Sequence, residues 1–111
     1  MNAEEFAQGF FHEKQHHLDL YLNHGASTAV GALLQELRLD ERQAPLLRQL
    51  LDTALTDTYF SVLCILGGGA SMAGVQQTYE VRDEAGRLIT GDANFGELEA
   101  AAYELFHEPE E

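Results

Sequence analysis

The chain has 111 residues, 45% of them hydrophobic, with one cysteine and a formal net charge of −13. A chain of this length and apolar content can bury roughly two-thirds of its unfolded surface, so disorder is not expected and no disulfide or metal staple is needed. Nineteen acidic residues against six basic ones exclude a surface that attracts nucleic acid or anionic membrane, while they suit encounter with a basic protein or plain solubility.

The first element expected is an amphipathic helix over 3–23. Phe6, Phe10, Lys14, His17, Leu18 and Tyr21 share one face with Ala3 and Ala7, and Phe11 and Leu22 lie at its edge. Glu5, His12, His16, Asp19 and Asn23 share the opposite face. Asn23-His24-Gly25 is a stop signal, since glycine after the last turn accepts the left-handed conformation. Ser27 or Thr28 can cap a second helix running to about Leu39, with Val30, Leu33, Leu34 and Leu37 as its apolar stripe and Gly31 as a slight weakness.

A turn at Asp40 precedes a third helix with Pro45 in its first turn, where the missing N–H costs nothing. Leu47, Leu50, Leu51, Ala54, Leu55, Thr58, Val62 and Leu66 follow helical spacing. Tyr59 to Leu66 is apolar all round and also fits a buried strand; the unbroken stripe favours helix. Gly67 to Gly74 is a flexible loop, read as a hinge. Thr78–Arg82 and Arg87–Thr90 flank the turn Asp83-Glu84-Ala85-Gly86 and predict a β-hairpin. Asn94, with Glu97 three residues on, predicts a capping box for a last helix buried through Leu98, Ala101, Ala102, Leu105 and Phe106. Pro109-Glu110-Glu111 reads as a frayed tail. The expectation is a single α+β domain over 1–111, mainly helical, with three helices, a short hairpin and a C-terminal helix.

Cys64, inside the run Val62-Leu63-Cys64-Ile65-Leu66, reads as a buried inert thiol, because a nucleophilic cysteine needs an electropositive setting. The acidic start Met1-Asn2-Ala3-Glu4-Glu5 is unlike a signal peptide, and no apolar run approaches the ~20 residues of a membrane span. A cytoplasmic protein is expected.

The most specific motif is His12-Glu13-Lys14-Gln15-His16, which matches HExxH and resembles the zincin metallopeptidases over five residues. The resemblance implies a zinc ion on His12 and His16 with Glu13 as general base; Asp19 offers a third donor, an oxygen, on the same face. The longer metzincin pattern is broken by Asp19 and Leu22, which stand where that family has Gly and His, and the motif lies on a polar helix face with no strand before it. A small metal-dependent hydrolase is therefore an alternative reading, behind a solvated face that carries histidines. The glycine loop lacks the P-loop lysine, and Met72 stands where a dinucleotide fingerprint needs its third glycine. Arg48 and Asp52 form an i,i+4 pair on the third helix. His17 on the apolar face reads as a core or interface histidine, and His107 as a complement to the last helix's dipole.

From Glu97 to Glu111 there are six carboxylates and no Lys or Arg. Such a face suits a basic protein cleft, or a DNA mimic whose carboxylates stand at phosphate spacing. In size, acidity and lack of a catalytic constellation the chain is similar to small acidic bacterial immunity proteins, which neutralise partner toxins. Gly74-Val75-Gln76-Gln77 through Gly96-Glu97-Leu98-Glu99-Ala100-Ala101-Ala102-Tyr103-Glu104 resembles an uncharacterised bacterial family. The immunity likeness implies a non-enzymatic protein-binding domain and a toxin that acts in the cytoplasm. The candidate partner-binding residues are Asp52, Asp57, Glu97, Glu104 and Glu108, and the Phe-rich first helix offers a surface for a homodimer.

Overall fold

The computed structural model of the chain describes residues 1–108. They form a mainly helical α+β arrangement: α1 (Ala3–Asn23), α2 (Ala29–Leu37), α3 (Gln43–Leu66), β1 (Val81–Arg82), β2 (Leu88–Thr90) and α4 (Glu97–Phe106). Short 3₁₀ turns at Gly25–Ser27 and Asp92–Asn94 lead into α2 and towards α4. The tail expected over Pro109-Glu110-Glu111 lies outside the described residues.

Local chemistry explains most of the helix ends. Asn2 and Glu5 exchange side chain-to-backbone hydrogen bonds at the start of α1, with each backbone N–H donating to the other residue's side chain. Asp40 and Gln43 repeat the arrangement before α3. Both are capping boxes, which satisfy amide donors that the first turn leaves free. Thr28 caps α2 by accepting the Gly31 N–H at 2.9 Å. The segment Tyr59–Leu66 is helical, and its end explains the glycines that follow. Gly69 N–H donates to the Cys64 carbonyl and Gly68 N–H to the Ile65 carbonyl, with Gly68 at φ +85°. That is a Schellman closure, in which glycine takes the left-handed position.

The predicted cap of α4 is not formed. Gly96, at φ +92°, occupies the cap position and makes no side-chain bond. Asn94 lies in the 3₁₀ turn, where its Nδ2 donates to the Ile89 carbonyl at 2.9 Å and to Glu97 at 3.3 Å. A capping side chain must stand on extended backbone one residue before the first helical turn. The intervening turn removes Asn94 from that position.

The hairpin is shorter than the residue types suggested. Val81 pairs with Thr90 and Arg82 with Leu88, antiparallel, with an irregularity between them. Its turn closes on Asp83, whose carboxylate accepts the amides of Ala85 and Arg87. A second tight turn lies in the glycine loop. Met72 and Val75 exchange both backbone hydrogen bonds across Ala73 and Gly74, at φ +52° and +80°. Two successive positive φ values are the mark of a type I′ turn. Residues 67–75 are thus a helix closure followed by a turn.

Tertiary contacts fall into two compact units, Met1–Phe11 with Thr58–Glu111, and His12–Asp57. In the first, Ala3, Ala7, Leu63, Leu98, Ala102 and Phe106 form the buried core, with Phe6, Phe10, Phe11, Tyr59 and Phe60 packed against it. Edge-to-face rings strengthen it: Phe6 on Phe10 at 5.0 Å and Phe11 on Phe106 at 5.4 Å between centroids. The phenylalanines of α1 therefore line their own unit's core. Thr90 is 1% exposed, and its hydroxyl has no hydrogen-bond partner among the described residues. Replacing a buried orphan hydroxyl with a methyl group of similar shape removes a desolvation penalty. Thr90→Val should raise unfolding stability by about 1 kcal/mol, read from the urea midpoint at unchanged slope; a lowered midpoint would show that the hydroxyl is satisfied in solution.

The second unit buries little of its own. Among the described residues, its buried side chains are Leu18 and Lys14. Lys14, placed by periodicity on the apolar face of α1, donates from Nζ to Asp52 at 2.8 Å and to Thr56 at 3.0 Å on α3. A buried ammonium is tolerable only with such partners.

Candidate functional site

Two groups of sequence-selected residues can be compared with the geometry. The first is the HExxH segment. His12, Glu13 and His16 stand exposed along α1, as does Asp19 one turn further on. Asp19 is engaged locally: one carboxylate oxygen accepts from Asn23 Nδ2 at 2.8 Å, the other lies 2.9 Å from His24 Nε2. His17 stacks on Tyr21 at 5.9 Å. Among the described residues, no three of His, Cys, Asp and Glu are grouped to hold a metal ion. A catalytic zinc site needs three protein ligands and a shaped cavity.

The bonds from Asn23 and His24 hold the Asp19 carboxyl below its ordinary value of 3.8. A carboxyl depressed in the folded state stabilises the fold fully above its unfolded value and loses that contribution as pH falls through the folded one. Asp19→Asn keeps the hydrogen-bond acceptor and removes the charge. The variant should unfold earlier than the wild type above about pH 5 and match it in strong acid. A gap that persists unchanged in acid would contradict this origin.

The second group is the acidic one. Glu97 and Glu104, on α4, line a cleft of about 310 Å³ together with Glu4 and Asn2 at the start of α1. Ala3, Ala100 and Ala101 form its apolar wall, and no Lys or Arg borders it. The spacing follows from helix geometry: residues 97, 100, 101 and 104 recur at three and four along one face of α4. Small alanines on that face leave room beside the carboxylates. Glu4 was not among the residues selected from sequence. Its only local signal is its place in the first helical turn, where carboxylates are common for dipole reasons alone.

The remaining candidates go elsewhere. Asp52 is occupied by Lys14 in the second unit; its expected i−4 neighbour Arg48 instead borders a separate cavity with Asp19 and Gln15. Asp57 is exposed on α3 in that same unit, and Glu108 is exposed just past the end of α4. Glu99 turns away from the cleft. Its carboxylate lies against Gly67 and Gly69, where a Cβ on Gly69 would sit 2.0 Å from Oε1. His107 packs edge-on against Phe60 at 4.4 Å, a contact beyond the dipole role expected of it. Burial, with the nearby Glu99 carboxylate, pushes the Cys64 thiol up. That disfavours the thiolate, the form that acts as a nucleophile. No helix among the described residues is long and apolar enough to cross a membrane.

Charge is divided unequally between the units. Residues 1–11 and 58–111 hold twelve of the nineteen acidic residues and only Arg82 and Arg87 of the basic ones. Residues 12–57 hold Lys14, Arg38, Arg42 and Arg48. Comparison with protein-family models, with curated proteins and with solved structures finds no match to this chain.

Proposed function

We propose that the protein is a non-enzymatic binding domain whose acidic unit, Met1–Phe11 with Thr58–Glu111, engages a basic protein, and that its role is that of an immunity protein neutralising a toxin in the cytoplasm. The observation that carries this reading is the cleft between Glu4, Glu97 and Glu104, which gathers three carboxylates on small apolar walls with no basic residue at its border. An arginine or lysine side chain entering it would bury its aliphatic stem on Ala100 and Ala101 and meet charge at its tip. The concentration of acidic residues in the same unit supplies long-range attraction.

The test pairs Glu4→Gln/Glu97→Gln/Glu104→Gln with the wild type against the protein encoded directly upstream of its gene, tested as the toxin. Wild-type protein should restore growth of cells expressing the toxin, and should bind it at least about tenfold more weakly at high salt than at low salt. The triple variant should lose both rescue and salt dependence. Equal affinity of variant and wild type, or affinity indifferent to salt, would remove this cleft as the binding surface.

A further inference from the structure

The second unit, His12–Asp57, leaves much of its apolar surface uncovered. Leu33 and Leu37 on α2 are 60% and 57% exposed, and Leu46 and Leu50 on α3 are 64% and 62% exposed. Each pair is spaced i,i+4 and so forms a ridge along its helix. Beside the ridges, Leu34 and Leu47 line a cleft of about 210 Å³ with Tyr21 and Leu22. Among the described residues, Leu18 is the buried large apolar side chain of this unit. A unit with four exposed leucines and so little interior of its own has the composition of half an interface.

The charges around the ridges say what covers them. Between Leu33 and Asp52 the acidic residues are Glu36, Asp40, Glu41 and Asp52, and the basic ones are Arg38, Arg42 and Arg48. Asp52 is paired with Lys14. What is left is Glu36, Asp40 and Glu41 against three arginines, a balanced stretch in a chain whose net charge is −13. A basic partner has no reason to choose this stretch over the acidic unit. An identical copy of the chain is repelled by the acidic unit and is tolerated here, where arginines of one copy can face glutamates of the other.

We propose that α2 and α3 form a self-complementary dimer surface, in which Leu33, Leu37, Leu46 and Leu50 of two copies pack together within a rim of Arg38, Arg42, Glu36 and Glu41. A two-fold arrangement makes each patch its own partner. Because the contact is apolar at its centre, the dimer survives high salt, unlike the encounter proposed for the acidic cleft.

Sedimentation of the full chain over a range of concentrations should show a monomer–dimer equilibrium that persists at high salt. Isotope-filtered NMR on a mixture of labelled and unlabelled protein should place intermolecular contacts on the methyl groups of Leu33, Leu37, Leu46 and Leu50. Leu46→Glu/Leu50→Glu should sediment as a monomer at every concentration with unchanged far-UV circular dichroism, while Glu4→Gln/Glu97→Gln/Glu104→Gln should dimerise like the wild type. A wild-type chain that stays monomeric at sub-millimolar concentration overturns the proposal. So do intermolecular contacts confined to other residues, a test that needs no variant to fold.

Discussion

Leu63→Ala should destabilise the protein by about 3 kcal/mol, within the 2–5 kcal/mol range for a fully buried leucine. Leu63 has no exposed surface and sits in the core with Ala3, Ala7, Leu98, Ala102 and Phe106. Its core partners sit on helices α1 and α4, so the vacated space is only partly refilled and a cavity remains. Against a total of roughly 5–15 kcal/mol for a domain of this size, the loss is a large share. Val62 is the control. It adjoins Leu63 in the same apolar run but is 41% exposed, and Val62→Ala should cost about 1 kcal/mol or less. Urea unfolding of both variants separates them; equal losses would mean that α3 is rotated about its axis from the position described.

The second large effect runs against helix propensity. Alanine is favoured over glycine inside a helix by about 1 kcal/mol, so Gly31→Ala in α2 would ordinarily stabilise. Here it should destabilise by about 2 kcal/mol. A Cβ on residue 31 would lie 2.0 Å from the carbonyl oxygen of Gly25, and 3.1 Å from Thr28 Oγ1, which caps the helix. The obstacle is backbone, held by the Gly25–Ser27 turn, and it can yield only if that turn unwinds. Loss of the Thr28 cap adds to the cost. Thermal unfolding measures the sign directly: a higher midpoint for Gly31→Ala would mean that the turn has no fixed position. The sequence marks Gly31 only as a slight weakness in α2, because the approach of Gly25 is invisible to a propensity argument.

The acidic cleft and the leucine ridges carry opposite expectations for salt, which keeps them separable. Attraction between unlike surface charges is screened over about 8 Å at physiological ionic strength. Apolar contact is not screened and is strengthened by salts that are excluded from protein surfaces. Adding salt should release a basic partner while leaving the dimer in place.

What the sequence determined by itself is local. Periodicity places all four helices, Thr28 and Gly25 mark two of their ends, and the Asp83–Gly86 turn marks the hairpin. These depend on residues within a few positions of one another, whose torsions and hydrogen bonds are nearly independent of the rest of the chain. Asn2–Glu5 and Asp40–Gln43, not among the expected caps, form capping boxes, whereas Asn94–Glu97 carries the same pattern and forms no cap. The difference lies in the backbone: a capping residue must be extended, and the 3₁₀ turn at Asp92–Asn94 prevents it.

Tertiary structure decided everything that joins distant residues. It paired Lys14 with Asp52, 38 positions away. It brought Glu4 to Glu97 and Glu104, turned Glu99 away from them, and sent Asp57 to the other unit. It packed the phenylalanines of α1 against the core and left Leu33, Leu37, Leu46 and Leu50 of α2 and α3 exposed, although both sets have the same amphipathic spacing. Spacing tells which residues share a helix face. What that face meets is set by packing between segments far apart in the chain, and a single helix's periodicity contains no record of it.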